Sequence, residues 1–174
     1  MPTLHWRKAE PSDLPEISEI ASRIHPDLPE GSDVLAEKMR LCPDGCLVLV
    51  ANDAIVGYGL SHPWMRHQIP RLDELLHALP SAADCLYVHD VAVLPAFRGR
   101  QAADSYIERI IALARSVRIT ALALVSVYDT PFFWERFGFR VVAGDATLRA
   151  KLASYGETAR YMMCDLAPTQ EPGT

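Results

Sequence analysis

At 174 residues, 49% of them hydrophobic and 22% charged, the chain is long enough to bury one sizeable core and too apolar to be intrinsically disordered. Its net charge of −5 argues against DNA or RNA as a partner, because nucleic-acid binding depends on basic groups that neutralise phosphates. The N-terminus shows no apolar stretch followed by a cleavage site, and no apolar run approaches the roughly 18 residues of a membrane span. We therefore expect a soluble, cytoplasmic protein with no membrane partner.

The first half of the chain predicts a strand, two helices and a hairpin, in that order. A strand fits "TLHWRKA", and the apolar spacing of "SDLPEISEIASRI" predicts an amphipathic helix capped by Ser12 or Asp13. A short helix runs from a Ser32 cap to residue 41, and "CLVLVANDAIVGYGL" predicts a hairpin that turns at residues 52–53. Further on, "RLDELLHAL" fits a short helix that could cover a substrate site.

The second half predicts a strand, a helix and a strand, followed by shorter elements. Residues 85–94 are expected to form a strand stopped by a proline, residues 101–116 an amphipathic helix, and "ITALALVSV" a strand covered on both faces. This order implies a right-handed parallel crossover. A short helix at "PFFWERF" that ends at Gly138, and strands at "FRVV" and "ARYMMCDL", complete a mixed α/β sheet with helices on both faces. We expect one domain over 1–166 and a disordered tail over 167–174.

Four cysteines carry no evident chemistry. Their spacing contains no Cys-x-x-Cys motif and their surroundings are largely apolar, which is typical of buried, reduced thiols. A metal site or a disulfide is the less favoured interpretation. We therefore predict no metal and assign no role to Cys42, Cys46, Cys85 and Cys164.

The loop between residues 94 and 102 has the composition of an anion site. Arg98 and Arg100 offer charge-assisted hydrogen bonds to phosphate oxygens, and Gly99 keeps the loop free of side-chain bulk. The first amides of the helix that follows have no intrahelical partner, and the helix dipole favours negative charge there. The loop therefore suits a pyrophosphate, although a solvated turn with two surface arginines would have the same composition.

The segments "VHDVAVLPAFRGRQAA" and "FFWERFGF", separated by an amphipathic helix and an apolar strand, carry a family resemblance. They resemble the GNAT superfamily of N-acetyltransferases, whose acetyl-coenzyme A loop has the form Arg/Gln-x-x-Gly-x-Gly/Ala. Arg98 matches the first position and Ala103 the last, whereas Gln101 stands where the central glycine is usual. A helical backbone at Gln101 would tolerate the side chain, which would then crowd the phosphate site. The resemblance implies a single-domain GNAT-like fold with a mixed, mostly antiparallel sheet and one parallel crossover pair.

The resemblance also implies that acetyl-coenzyme A is the cosubstrate. Its pantetheine arm would bond the backbone of Val91 and Val93 at an open strand edge, and its pyrophosphate would bind residues 99–104. Within the superfamily, "RLCPDGCLVLV", His89 and the Pro-Phe-Phe at 131–133 look closer to the arylalkylamine N-acetyltransferase branch. The residues expected to bind the cofactor are Val91, Ala92, Val93, Arg98, Gly99, Arg100, Gln101, Ala102, Ala103, Asp104 and Phe133.

Acetyl transfer to an amine requires a proton acceptor. An alkylammonium group has a pKa near 10.4, so removing its proton at pH 7 costs roughly 4.6 kcal/mol. His89 is the predicted general base, because an imidazole titrates near neutrality and because the matching family position often holds a His or Glu base. A hydrogen-bonded core histidine is the alternative, and Asp90 is the reserve candidate or the partner that orients an imidazole. Because side chains alternate along a strand, His89 and Asp90 can share a side only if a bulge intervenes.

A general acid for the departing thiolate is the next requirement. The family often has a tyrosine where this chain has Trp134, and an indole N–H cannot give up a proton at these pH values. Tyr128, at the end of the apolar strand, is the predicted substitute, with simple packing as the alternative. A thiolate of pKa near 8.5 could also leave without an acid.

The acceptor is predicted only by class. Apolar walls for a small primary amine are expected from Tyr58, Trp64, Met65, Tyr87 and Phe132, all of which could equally be core residues. The predicted function is acetyl-coenzyme A-dependent N-acetylation of a small-molecule amine, and a homodimer is left open. The alternative is a non-catalytic module that binds or senses acyl-coenzyme A, which the residues at 101 and 134 would favour.

Overall fold

One mixed sheet of seven strands forms the centre of the computed structural model, which describes residues 3–99 and 101–168. The strands are β1 (Leu4–Lys8), β2 (Cys46–Ala51), β3 (Ala54–Trp64), β4 (Cys85–Val93), β5 (Ala121–Ser126), β6 (Arg140–Val141) and β7 (Arg160–Asp165). Their spatial order is β1, β2, β3, β4, β5, β7, β6. Neighbours are antiparallel except β4 and β5, which are parallel. The predicted mixed sheet with one parallel pair is confirmed.

Helices cover both faces of this sheet. They are α1 (Leu14–Ile24), α2 (Ser32–Leu41), α3 (Ala102–Ser116), α4 (Pro131–Glu135) and α5 (Ala146–Ala153). Helix α3 packs on the face that carries Leu86 and Val88 of β4. Tyr87, between them, points to the opposite face, where α5 packs. Helices α1 and α2 cover Tyr58 and Ala92 on that same opposite face.

The parallel crossover is made by β4, α3 and β5, as the sequence predicts. Within the described part of the chain, β4 pairs with β5 only at residues 86–88. Beyond Val88 the two strands part, although β4 continues to Val93 and stays paired with β3 on its other edge. The β5-facing edge of β4 is therefore open along residues 89–93.

Three local expectations of the sequence analysis differ from the structure. The segment "RLDELLHAL" is not a helix, because the Leu76 and His77 amides donate to the carboxylate of Glu37 at 2.5 and 2.9 Å. The N–H groups of Leu76 and His77 thus bond the Glu37 carboxylate and not the backbone carbonyls of a helix. Asp13 occupies the N-cap position of α1 but makes no side-chain cap hydrogen bond. Its carboxylate instead accepts the Glu10 amide at 2.8 Å and pairs with Arg7 at 2.7 Å. The second helix begins at Ser32, with residue 31 at the N-cap position.

Other parts of the chain refine the predicted outline. Helix α5 follows an Asp145 cap whose side chain accepts the Leu148 amide at 2.8 Å, and it was not predicted.

The cysteines are free and buried, as expected, and burial raises the pKa of Cys46 and Cys85 to about 12. Most of the predicted tail, residues 169–174, lies outside the described residues.

The described residues contain neither a metal-binding cluster nor a membrane-spanning helix. Within residues 3–99 and 101–168, no group of three or more His, Cys, Asp or Glu side chains is arranged to hold a metal ion. Over the same residues, no helix combines the length and the apolar character needed to cross a membrane.

Candidate active site

A cleft of about 1030 Å³ opens where β4 and β5 part. It is lined by the open half of β4, the end of β5, the segment that follows α1, and the first turns of α3 and α4. These elements come from distant parts of the sequence, and the crossover brings them together at the carboxyl ends of the two parallel strands. Ligands of open α/β sheets commonly bind at such strand ends. The cleft is therefore the candidate active site.

The predicted cofactor residues lie together at one side of this cleft. All of those that the structure describes line it, namely Val91, Ala92, Val93, Arg98, Gly99, Gln101, Ala102, Ala103, Asp104 and Phe133. Arg100 lies outside the described residues. The Nε of Arg98 donates to the Val93 carbonyl oxygen at 2.9 Å, which holds the guanidinium group at the end of β4. The open strand edge and the arginine loop are thus contiguous.

Gln101 does not have the helical backbone that the sequence analysis expected. Its φ of 57° and ψ of 17° place it in the left-handed region, and α3 begins only at Ala102. Gly99 also has a positive φ, of 73°. Glycine enters this region at low cost because it has no Cβ, whereas other residues do so under strain. The glycine that is usual in the family at this position would adopt the left-handed backbone without strain. Gln101 adopts the same backbone conformation under strain.

A β-bulge in β4 turns His89 and Asp90 toward the same side. Leu60 of β3 pairs with Asp90 and the next residue, Ser61, pairs with Val88, so His89 has no partner of its own. One extra residue breaks the strict alternation of side chains along the strand. Both side chains consequently point toward α1 and α2 and line the cleft. The sequence allowed His89 and Asp90 to share a side only if a bulge intervened, and the bulge is present.

His89 forms a buried pair with Glu30, a residue that the sequence analysis did not single out. His89 Nε2 lies 2.7 Å from Glu30 Oε1, and the two side chains are 2% and 9% exposed. Burial would raise the pKa of Glu30, but the charge of His89, its hydrogen bond and the charge of Lys38 lower it to about 2. Glu30 is therefore ionised and orients the imidazole ring. His89 Nδ1 has no partner among the described residues.

Asp90 forms a second imidazole and carboxylate pair, with His25. His25 Nε2 lies 2.8 Å from Asp90 Oδ1, and Asp90 Oδ2 accepts a short hydrogen bond from the Tyr58 phenol. Burial lowers the pKa of His25, but the hydrogen bond to Asp90 and the charge of that carboxylate outweigh this and raise it overall. Asp90 therefore pairs with the imidazole of His25, and its role in catalysis stays a prediction.

Tyr128 lies at the mouth of the cleft in an unusual conformation. Its φ is 55°, its side chain is 46% exposed, and its ring stacks on that of His25 with 5.7 Å between centroids. Partial burial and the charges of Asp27 and Asp90 raise the pKa of Tyr128, so its phenol stays protonated near neutrality. Trp134 also lines the cleft. A role for either residue in catalysis stays a prediction.

The residues predicted to form acceptor walls do not gather in one place. Phe132 lines the cleft and is 72% exposed. Tyr58 is fully buried behind Asp90. Trp64, Met65 and Tyr87 are not among the described residues that line the cleft. Trp64 ends β3 opposite the start of β4, Met65 follows β3, and Tyr87 lies in the core. His25 and Glu30 face the cleft instead, and no sequence motif marked them.

The sequence of the chain matches a described family. A sequence model of the acetyltransferase (GNAT) family matches residues 12–139. The chain belongs to the GNAT family. No curated protein sequence matches this GNAT protein significantly, and the match to the arylalkylamine branch stays a prediction.

Solved structures share the fold of this GNAT protein. Ard1 from Thermoplasma volcanium superposes with a TM-score of 0.71 at 15% identity, covering 95% of this chain and 99% of that one. The GphF GNAT-like decarboxylase in complex with isobutyryl-CoA gives 0.76 at 20% identity, covering 94% and 100%. A GNAT family acetyltransferase from Brucella melitensis in complex with acetyl-CoA gives 0.60 at 17% identity, covering 99% and 94%. The expected single-domain GNAT fold is confirmed.

Proposed function

We propose that this GNAT protein transfers the acetyl group of acetyl-coenzyme A to a primary amine of a small molecule. The observation that carries the proposal is the juxtaposition of an open β4 edge, an arginine loop and two carboxylate-held imidazoles around one cleft. An acyl thioester needs the first two features for binding, and an amine needs the third for loss of its protons. The family of the chain supports the same chemistry.

The cofactor would lie along the open edge of β4. The edge of residues 89–93 that faces β5 has backbone groups free to pair with the pantetheine amides. The pyrophosphate would meet Arg98 and the first amides of α3, where orphan N–H groups and the helix dipole favour an anion. The acetyl group would then lie beside the bulge, close to His89 and Asp90.

His89 is proposed to accept a proton from the attacking nitrogen. Glu30 holds the ring by Nε2 at 2.7 Å, which leaves Nδ1 as the nitrogen that can accept. The ionised Glu30 carboxylate stabilises the imidazolium that forms. Tyr128 is proposed as the acid that returns a proton to the coenzyme A thiolate, because its phenol is at the cleft and stays protonated.

The acceptor class follows from the other side of the cleft. Leu28, Leu72, Phe132 and Tyr128 add apolar surface there, and Asp27 adds a carboxylate. Such a lining suits a small amine that carries an apolar or aromatic group, and the arylalkylamines predicted from the sequence are one such class. A peptide N-terminus would need a longer open groove and is the main competing acceptor.

Thiol release with a panel of amines tests the activity. The panel contains phenethylamine, ethylamine, spermidine, free amino acids and peptides with a free N-terminus, each with acetyl-coenzyme A. We expect turnover to be highest with phenethylamine or ethylamine. Best turnover with a peptide would replace the small-molecule acceptor, and thiol release with none would favour the alternative of a non-catalytic acyl-coenzyme A module. Light scattering on the same preparation tests the homodimer.

Coenzyme A binding is tested separately by its effect on the melting temperature. Binding to the native state raises this temperature by mass action, and we expect Arg98→Ala and Gly99→Glu to weaken coenzyme A binding several-fold or more. Arg109→Ala, an exposed arginine on α3 away from the loop, is the matched control and should bind like the parent. Unchanged binding in the Arg98 and Gly99 variants would place the cofactor elsewhere.

A further inference from the structure

We propose that His25, held by Asp90, removes the first proton from the ammonium group of the acceptor, and that His89 receives the second. This inference rests on the proposed amine acetylation and assigns a proton-transfer role to a residue outside the family motifs. An amine nitrogen that arrives protonated must lose two protons to become an amide. The cleft contains two imidazole and carboxylate pairs, one for each transfer.

The two pairs differ in their access to the cleft. In the first pair the side chains of His25 and Asp90 are 15% and 16% exposed, whereas those of His89 and Glu30 are nearly buried. An acceptor that enters from solvent therefore meets His25 before His89. The outer imidazole is also the one that can release its proton to water after turnover.

One ring nitrogen of His25 is held by Asp90, and the other has no hydrogen-bond partner among the described residues. Nε2 is fixed by Asp90, whose second oxygen is itself fixed by Tyr58. Nδ1 is buried and has no partner among the described residues. A buried polar atom of this kind is costly to leave unpaired, so the acceptor nitrogen, or a water that bridges to it, is its natural partner.

The charged groups around His25 raise its pKa overall, so they stabilise the imidazolium that forms when the ring accepts a proton. Asp90 from β4 and Glu30 from the segment before α2 act in this direction, and Arg98 from the loop after β4 acts against it. His25 also immediately follows the C-terminus of α1, where the helix dipole favours a cation. The Tyr128 ring lies parallel to the imidazole at the cleft mouth, with 5.7 Å between the ring centroids.

Tyr128 holds this arrangement in place. A left-handed backbone is a strained state for a bulky residue, and such strain is concentrated at functional sites. Here it brings the aromatic ring parallel to His25, within 1°. Tyr128 is therefore also a positioning residue for His25, through its ring and independently of its phenol.

The proposed steps balance in atoms and charge. One N–H bond of the ammonium breaks and its proton goes to His25 Nδ1, which leaves a neutral amine. The amine nitrogen forms a C–N bond to the acetyl carbon as the C–S bond breaks. His89 takes the second N–H proton, the Tyr128 phenol gives its proton to the coenzyme A sulfur, and the proton that His89 releases restores the phenol. His25 then returns its proton to water, so each turnover yields the amide, coenzyme A thiol and one proton.

The test compares variants at two pH values, with the best acceptor of the amine panel. His25→Gln should lower kcat/KM by about 10-fold or more at pH 7 and by less than about 2-fold at pH 10, where a large fraction of the amine is already neutral in solution. His89→Gln should lose activity at both pH values, because the second proton must always be removed. Asp90→Asn should follow the pattern of His25→Gln, and His5→Gln, outside the cleft, should match the parent.

A second acceptor separates proton transfer from packing. With 2,2,2-trifluoroethylamine, which is largely neutral at pH 7, His25→Gln and the parent should be equal. An equal loss in His25→Gln at both pH values, or no loss at pH 7, would overturn the inference while leaving the acetylation intact. A parent that acetylates no amine would instead overturn the proposed function. A retained shift in melting temperature with coenzyme A shows that each variant is folded.

Discussion

Gln101 occupies a backbone conformation that is usually left to glycine. Because a left-handed non-glycine residue costs roughly 1–2 kcal/mol, we expect Gln101→Gly to raise the free energy of unfolding by about 1 kcal/mol and to strengthen coenzyme A binding. Urea unfolding and calorimetric titration measure the two effects. Gly99→Ala is the matched control, since its φ is 73° and an added Cβ would meet no described atom within 4 Å. It should lose stability through backbone strain alone, and a gain there would contradict the explanation.

Tyr128 combines two proposed roles that substitutions can separate. Tyr128→Phe removes the phenol but keeps the ring stacked on His25, so it should lower the single-turnover rate by about 10-fold or more with little change in coenzyme A affinity. Trp134→Tyr in that background should restore part of the rate by adding a phenol at the usual family position. Tyr128→Ala should in addition reproduce the pH pattern of His25→Gln. A Tyr128→Phe rate equal to the parent's would mean that water protonates the thiolate.

At the scale of elements, β4 organises the whole site. Its first half is paired on both edges and forms core, its bulge turns two polar side chains to one side, and its second half offers an open edge. The position of helix α3 relative to β4 matters because its first turn lines one end of the cleft, where the cofactor is proposed to bind. The Trp6 indole donates to the Ala102 carbonyl oxygen at 2.9 Å, which ties the start of α3 to β1.

The close packing of α3 on β3 gives a test of this geometry. A Cβ at Gly59 would collide with the ring of Tyr106, a fully buried residue whose phenol donates to the Gly45 carbonyl oxygen at 3.2 Å. Gly59→Ala should therefore destabilise the protein by about 1–3 kcal/mol and weaken coenzyme A binding by displacing α3. Adding Tyr106→Leu should relieve part of the collision. Coenzyme A affinity equal to the parent's in Gly59→Ala would show that the two elements are not coupled.

At the scale of the whole molecule, stability should fall in mild acid. His62 is fully buried, and burial lowers its pKa to about 3 from the usual 6.5. As the pH falls, His62 is therefore protonated in the unfolded chain before it is protonated in the folded protein. The stability that neutral His62 contributes is complete above pH 6.5 and is lost as the pH falls toward 3. One such proton gives a slope of up to about 1.4 kcal/mol per pH unit. Glu30, with its pKa lowered to about 2 from 4.5, adds a loss in the same direction below pH 4.5.

Unfolding free energies at pH 7.5, 6 and 5 measure this slope. His62→Phe should flatten it between pH 6.5 and 4.5, because the unfolded chain then has one histidine fewer to protonate. His5→Phe, at an exposed site, should leave the slope as in the parent. Equal slopes in the parent and His62→Phe would mean that the imidazole of His62 is protonated equally in both states.

Much of this molecule follows from local pattern. The hairpin turn at Asn52 and Asp53, both with positive φ, and the crossover from β4 through α3 to β5 follow from periodicity and chain order, which are properties of neighbouring residues. The arginine loop and its place at a helix start follow in the same way. So do the buried thiols, since an apolar surrounding is visible in the sequence.

Only the tertiary structure decided which polar side chains line the cleft beside the bulge. The pairing of His89 with Glu30 joins positions 59 residues apart, and that of His25 with Asp90 joins positions 65 apart, so no spacing rule connects them. The bulge at His89 depends on the register with β3, which the sequence of β4 alone does not determine. For the same reason Tyr87 and Trp64 matched an aromatic acceptor wall in the sequence but belong to other surfaces. Local interactions thus determined where the cofactor loop is, and long-range pairing determined which side chains face it.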